Sequence, residues 1–217
     1  MSAVNERETD FKKEKIFVFG ASGHAKVVID IIERQGLFDI AFLVDDNPAL
    51  KGQHFFGYPV IGGKDELLAA DIRKGFVAIG NNRARRAVSA WLSSHDCAFI
   101  TAIHPSAQIA RGVSVGSGSV IMAGAVVNSD STIGYDVIVN TRASIDHDCI
   151  IGDGVHLAPG STLCGSVTVG EESFVCAGAT VIPNLTIGGK VTVGAGSTVI
   201  RDVPEGVTVA GSPAKVL

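Results

Sequence analysis

Asp146-His147-Asp148 is the segment of this 217-residue chain best equipped for proton transfer. An imidazole titrates near neutral pH, and a carboxylate beside it stabilises its charged form and raises its pKa. Such a ring accepts a proton from an attacking amine or hydroxyl. The second half of the chain is otherwise poor in groups that act as bases near pH 7. Its histidines are His104, His147 and His156. The bland reading of His147 is a solvated turn residue. The flanking acids and the scarcity of other bases weigh against it.

A repeat positions His147. Stepping by six from Ile109 to Val199 meets sixteen aliphatic residues with no insertion. Four residues after each lies a small or modest one, such as Ser119, Ala125, Ser131, Cys149 or Ser161. Neither a helix nor an alternating strand has that period. Short strands joined by turns do, and hexapeptide repeats mark a parallel β-helix. Three sides close a coil of 18 residues, so sixteen repeats make about five coils stacked at roughly 4.8 Å.

In this frame the aliphatic stripe faces inward and His147 projects from a corner. Cys149 points into the core, which argues against it as a nucleophile. Gly165 is 18 residues past His147 and lies directly above it. A glycine there exposes its N–H to a developing oxyanion and leaves room for a thioester. Pro159, Ala177 and Ala195 share another corner at the same step. Compact residues leave a groove for a thin ligand such as pantetheine, although turns favour small residues on their own account. His156 is half a coil from His147, so the two meet only across a subunit interface. His104 has no corner alignment with His147, which argues against a three-histidine zinc lyase. A non-catalytic scaffold would leave the first half of the chain unexplained.

That first half alternates strand and helix. Strands are expected at Ile16 to Phe19, Ile40 to Val44, Phe76 to Ile79 and around Ala98 to Ile100. Helices are expected at Ala25 to Gln35 and from about Arg83 to Ser94. The alternation predicts a parallel sheet, hence a small Rossmann-like α/β unit. Gly20-Ala21-Ser22-Gly23-His24 sits between a strand and a helix N-terminus, where free N–H groups and the helix dipole favour phosphate. It is not the G-x-G-x-x-G fingerprint. Asp45 and Asp46 lie at the carboxyl end of the second strand, where ligands of such sheets bind. They either accept hydrogen bonds from a base or ribose, or lead the turn into Asn47-Pro48. The organisation expected is a disordered leader at 1–14, an α/β nucleotide-binding domain at 15–102 and a β-helix domain at 103–217.

Composition excludes several classes. The net charge is −4 with scattered basic residues, which leaves no footprint for nucleic acid. No apolar run is long enough for a bilayer. Met1 to Lys15 is polar and charged, unlike a signal peptide. Cys97, Cys149, Cys164 and Cys176 lack C-x-x-C spacing, so a cytoplasmic location is expected.

From Lys15 onward the chain resembles the bacterial nucleotide-sugar N-acetyltransferases of bacillosamine, perosamine and related 4-amino-4,6-dideoxy-sugar pathways. It is similar also to their cousins known as sialic acid O-acetyltransferases, all within the hexapeptide-repeat acyltransferases. The residues that carry the resemblance are Gly20-Ala-Ser-Gly-His24, Asp45-Asp46, Gly80-Asn-Asn82, His104-Pro-Ser-Ala107, Asn140 with His147 seven residues on, and Gly211-Ser-Pro-Ala-Lys215.

The resemblance implies a left-handed β-helix, a homotrimer, acetyl-CoA as co-substrate and no metal. It assigns His147 as base, Asp148 as the acid beside it, and Gly165 to the reacting centre. It assigns Asn140 to the amino sugar, and Ser22, Gly23, His24, Asp45, Asp46 and Gly80 to the nucleotide sugar. His156, Gly165, Ala177, Ala195 and Lys215 fall to the coenzyme. The bacillosamine-type enzymes carry Glu at the position of Asp148, so the reach to the imidazole is shorter here. Ala177 and Ala195 also differ in side chain from that type, which points to main-chain contacts. The implied reaction is N-acetylation of a nucleotide-linked 4-amino sugar. UDP is the favoured nucleotide and GDP-perosamine stays open. The alternative is O-acetylation of a sialic acid-type hydroxyl.

Overall fold

The computed structural model describes residues 13–217. Of the leader expected at 1–14, only Lys13 and Glu14 fall within them, and Glu14 already opens the first strand. The α/β unit runs β1 (Glu14–Phe19), α1 (Gly23–Gln35), β2 (Phe38–Val44), the hairpin β3 (His54–Phe55) and β4 (Tyr58–Pro59), α2 (Lys64–Ala69), β5 (Lys74–Val77), α3 (Asn82–Ser93) and β6 (Ala98–Phe99). Four strands form a parallel sheet in the order β2-β1-β5-β6. Four elements begin two residues earlier than the sequence pattern suggested: β1, α1, β2 and β5. The hairpin and α2 had no period long enough to announce them.

Local chemistry explains these elements. Ile16, Phe17 and Val18 are fully buried, as expected for a parallel strand covered on both sides. α1 buries Ala25, Val28, Ile29 and Ile32 at helical spacing. It ends at Gly36, in the left-handed conformation, whose N–H donates to the Ile32 carbonyl. The Asn81 side chain caps α3 by accepting from the Ala84 N–H at 2.9 Å. Gly20 has φ +114°, and a Cβ there would lie 2.8 Å from the Ala78 carbonyl oxygen. Only glycine lets β1 leave the sheet at this point.

The second half is a triangular parallel solenoid. Two-residue strands β7 (Ala102–Ile103) to β23 (Thr198–Val199) recur every six residues, and β24 (Thr208–Gly211) completes the series. β25 (Ala214–Val216) folds back antiparallel on β24. Every pairing within the repeat is parallel and one coil apart, as in Val120 with Ile138 and Ser144 with Thr162. The coils number about six rather than five. The strands begin at Ala102, ahead of Ile109, and continue past Val199.

Each corner places one residue in the left-handed region. From Gly112 to Gly196 these residues recur at every sixth position with φ between 55° and 81°. That requirement explains the Gly, Asp and Asn in the turns. The aliphatic stripe fills the prism, with one correction: Ile109 is 38% exposed. It belongs to the first coil, which has no coil beneath it.

The small inward residues stitch the coils together. Ser119 Oγ donates to the Gly134 carbonyl and accepts from the Val137 N–H, both at 2.8 Å. Ser131 and Ser173 make the same pair of bonds one coil onward.

Two contacts dock the units. Ala102, Val120 and Ile138 point outward from one side of the prism, yet they are buried in a cluster with Ala25, Val28 and Ile29 of α1. The polar stripe Asn82, Arg85, Arg86 and Ser89 of α3 meets a corner of the solenoid through Asp136, Asp153, Gly154 and Glu172.

Candidate active site

His147 occupies the turn between β14 (Ser144–Ile145) and β15 (Ile150–Ile151), and its side chain is 58% exposed. Its Nδ1 lies 2.7 Å from Asp148 Oδ2. The shorter acid therefore does reach the ring, from a left-handed backbone with φ 58°. Asp146 sits on the other side. It accepts from the His147 N–H at 2.9 Å and from Asn128 Nδ2 at 3.1 Å, and both bonds hold its carboxyl below the usual range. The bond to Asp148 first, and then the charge of Asp146, push the His147 pKa up. With Nδ1–H donated to Asp148, Nε2 carries the lone pair that accepts a proton.

Gly165 lies one coil above. A Cβ there would stand 2.7 Å from His147 Cε1 and Nε2. Among the described residues no protein carbonyl takes the Gly165 N–H. A free donor thus lies beside a basic nitrogen, the arrangement needed where an oxyanion forms. Cys149 is fully buried, as its phase predicted.

Asn140, Pro159, Ala177 and Ala195 occupy a different corner, between β7-type and β8-type strands (the sides that begin with Ala102–Ile103 and Gln108–Ile109). Gly160, Gly178 and Gly196 follow them, each with φ near 65° and nothing within 4 Å of an added Cβ. The corner is an open row of compact residues that admits a thin ligand. Among the described residues the N–H groups of Ala177 and Ala195 donate to no protein carbonyl, so main-chain contacts are available. Lys215 is exposed on β25 and borders a cleft of about 270 Å³ at the upper end with Arg201.

His156 points outward from the side covered by the α/β unit. Its Nε2 is 3.1 Å from Asn140 Nδ2, its ring is 4.9 Å from that of Phe174, and the Gly80 backbone faces it. Asn140 Oδ1 accepts from the Thr141 N–H at 2.8 Å. This orients its amide nitrogen toward His156, so Nε2 accepts and a neutral ring carries its proton on Nδ1. Burial and then the charge of Arg85 hold the His156 pKa down to about 4. His24 is likewise held to about 4, by burial and then Arg85, and its Nε2 is buried without a partner. Both rings are neutral at physiological pH. The resemblance assigned His156 to the coenzyme, yet within one chain its neighbours are Asn140, Phe174 and Gly80.

In the α/β unit, Ser22 and Gly23 are exposed at the start of α1, and the Ser22 hydroxyl makes no cap bond. Gly80 lies against His24, with an added Cβ 3.9 Å from the ring. The two aspartates divide their roles. Asp45 Oδ2 accepts from the Ala21 N–H at 2.8 Å and Oδ1 from the Asn47 N–H at 2.9 Å. Asp45 therefore fits the turn-residue reading, because it braces the glycine turn. Asp46 pairs with Lys64 at 3.4 Å and borders an open cleft of about 540 Å³.

Most of the predicted residues thus gather in three places: His147, Asp148 and Gly165 on one corner; Asn140, Ala177 and Ala195 on the next; and Gly80, His24 and His156 where the α/β unit covers the solenoid, with Asn140 reaching His156 from its corner. Ser22, Gly23, Asp45 and Asp46 stand on the α/β unit, and Lys215 at the end of the solenoid. The three histidines of the solenoid do not converge. His104 Nδ1 lies 3.0 Å from the Ser106 N–H nitrogen, away from both others. Two features escaped sequence reading. Phe174 continues the outward stripe Ala102, Val120, Ile138 and His156 at 18-residue steps, and an outward apolar stripe is the signal of a covered side. Arg85 was concealed among three arginines of α3 and shows itself only through its buried partners.

A left-handed parallel β-helix with an imidazole–carboxylate pair on one corner, joined to a parallel α/β unit with a glycine turn, defines an acyltransferase of the hexapeptide-repeat class. A family model described as the PglD N-terminal domain matches residues 15–92. UDP-N-acetylbacillosamine N-acetyltransferase of Bacillus subtilis is 39% identical over 113 residues, covering 51% of this chain and about half, 52%, of that protein's length. GDP-perosamine N-acetyltransferase of Escherichia coli O157:H7 is 32% identical over 211 residues, 92% of this chain and 95% of the relative. PerB from Caulobacter crescentus, solved in complex with CoA and GDP-perosamine, superposes with a TM-score of 0.89 at 42% identity, covering 94% of this chain and 97% of that one. The chain belongs to the family of nucleotide-sugar N-acetyltransferases that these proteins represent.

Proposed function

We propose that the protein transfers the acetyl group of acetyl-CoA to the amine of a nucleotide-linked 4-amino-4,6-dideoxy sugar. The observation that carries this reading is His147, with Nδ1 tied to Asp148 and Nε2 open beside the unpaired N–H of Gly165. The neutral amine attacks the thioester carbon. His147 Nε2 takes the amine proton, and the Gly165 N–H holds the oxyanion. The tetrahedral adduct collapses, the carbon–sulfur bond breaks, and the thiolate of coenzyme A leaves and is reprotonated from His147. The open corner at Ala177 and Ala195 accepts the pantetheine arm, and Lys215 offers a cation to its phosphates. The cleft at Asp46 and the turn from Ser22 to His24 take the nucleotide.

The base and Asn140 stand on different corners of one chain. A homotrimer that sets the His147 corner of one subunit against the Asn140 corner of the next supplies the complete site, and we include that assembly in the proposal. A cytoplasmic location accords with four unpaired cysteines and with the supply of acetyl-CoA. Among the described residues no helix is long and apolar enough to cross a membrane.

The test is thiol release from acetyl-CoA across UDP-, GDP- and dTDP-linked 4-amino sugars, with sialic acid as the hydroxyl control. Turnover of one amino sugar, reduced about 10²-fold or more in His147→Ala, supports the proposal. Turnover of the hydroxyl sugar alone overturns it in favour of O-acetylation.

A further inference from the structure

Arg85 is 1% exposed, the largest fully buried side chain among the described residues. Its guanidinium has five N–H donors, and all five are used. Nε donates to the Asp136 carbonyl at 2.8 Å. Nη1 donates to the carbonyls of Ile79 and Gly80 at 3.0 and 3.1 Å. Nη2 donates to Asn82 Oδ1 and to the Gly154 carbonyl, each at 2.9 Å.

These acceptors fall into two sets. Ile79, Gly80 and Asn82 form the turn between β5 and α3, at the carboxyl end of the sheet. Asp136 and Gly154 are 18 residues apart, so they lie one above the other on consecutive coils. One planar fork therefore grips the Gly80 turn on one side and two coils on the other. Among the described residues no carboxylate pairs with it directly. The Asp136 carboxylate is instead held by Arg86 at 2.6 Å and by the Ser89 hydroxyl at 2.9 Å. A buried cation satisfied by carbonyls is a costly way to join two units, and apolar packing would join them with less desolvation. What the fork supplies is direction, because five fixed donors specify both distance and tilt.

We infer that Arg85 is the positioning residue of the acceptor site, setting the nucleotide-binding Gly80 turn at a fixed height and angle over the solenoid that carries the base. The inference rests on the proposed function, since it assigns nucleotide contact to the Gly80 turn. The same cation faces His24 and His156, which flank that turn. Its charge, added to burial, keeps both rings neutral. The neutral His156 ring is what allows Asn140 to donate to Nε2. Arg85 thus orders the two sides of the acceptor cleft: the turn by hydrogen bonds, the histidines by charge.

Two variants separate these effects. Arg85→Lys keeps the charge and loses the fork; Arg85→Gln loses the charge as well. Calorimetric titration with UDP, GDP, dTDP and coenzyme A reads binding, and histidine NMR titration reads the rings. Arg85→Lys is expected to bind coenzyme A as the wild type does and the preferred nucleotide at least ten-fold more weakly. Its KM for the nucleotide sugar should rise with it, at constant KM for acetyl-CoA. Its two rings should stay neutral down to the wild-type pH, whereas in Arg85→Gln they should protonate at higher pH. Should Arg85→Gln not fold, Arg85→Lys alone carries the test. Unchanged nucleotide affinity in Arg85→Lys overturns the inference. So does an equal loss for nucleotide and coenzyme A, which marks a merely structural role, and so does a wild type that binds no nucleotide. A wild type that binds nucleotide but acetylates no amino sugar sinks the proposed function and leaves the role of Arg85 readable from binding.

Discussion

Gly165 stands one coil above His147, so close that a methyl group added to it would come within 2.7 Å of the imidazole's Cε1 and Nε2. The glycine carries no left-handed φ, so alanine is compatible with its backbone. The cost of Gly165→Ala should therefore fall on the ring, which must swing off its position. A displacement of about 1 Å in a reacting group costs up to about 10²-fold in rate. We expect kcat to drop at least ten-fold with the melting temperature nearly unchanged. A fully active Gly165→Ala would mean that His147 works from some other position.

The carboxylate of Asp148 should be visible in the pH profile. Asp148 and Asp146 favour the protonated ring, so the acid limb of kcat/KM lies above that of an ordinary imidazole. A base acts unprotonated, so activity rises as pH rises through the His147 pKa. Asp148→Asn removes the main cause of the shift, and the limb should move to lower pH. The plateau should fall about ten-fold, because a weaker base transfers protons less readily. A limb that stays in place would separate Asp148 from the chemistry.

Buried serines offer a paired test of the solenoid. Ser173 Oγ donates to the Gly188 carbonyl at 2.7 Å and accepts from the Val191 N–H at 2.9 Å. Ser173→Ala strands both groups and should cost about 1–3 kcal/mol. Ser161 is equally buried, but its hydroxyl has no partner. Ser161→Ala should therefore be neutral or slightly stabilising. Equal urea midpoints for the two variants would refute the distinction.

Acid should weaken the junction between the units. His24 and His156 hold pKa values of about 4 against 6.5 when unfolded. Between those values the unfolded chain binds more protons than the native one, so stability falls as pH falls. From pH 7 to pH 5 each ring should contribute a loss of about 2 kcal/mol. Urea unfolding at fixed protein concentration should show it, and His156→Phe should remove half of that slope. A midpoint independent of pH over this range counts against two buried neutral rings.

Much of this molecule was legible in its sequence because a six-residue period has one structural meaning. Sixteen aliphatic positions from Ile109 to Val199 specified the prism, and 18-residue arithmetic placed Gly165 over His147 and turned Cys149 inward. Strand and helix alternation specified the α/β sheet for the same reason: local periodicity is written in local residues. What the sequence left undetermined is everything that joins distant segments. Whether Asp45 binds a ligand or braces Ala21 depends on a loop 24 residues away. Whether His156 is charged depends first on its burial beneath the α/β unit and then on Arg85, which reaches it only because α3 docks on consecutive coils. Repeats report their own register, but the docking of one unit on another is set by side chains whose partners no spacing rule connects. The corners, the core and the place of His147 were therefore determined by sequence, and the tertiary structure alone decided which groups face the junction of the two units and in what charge state.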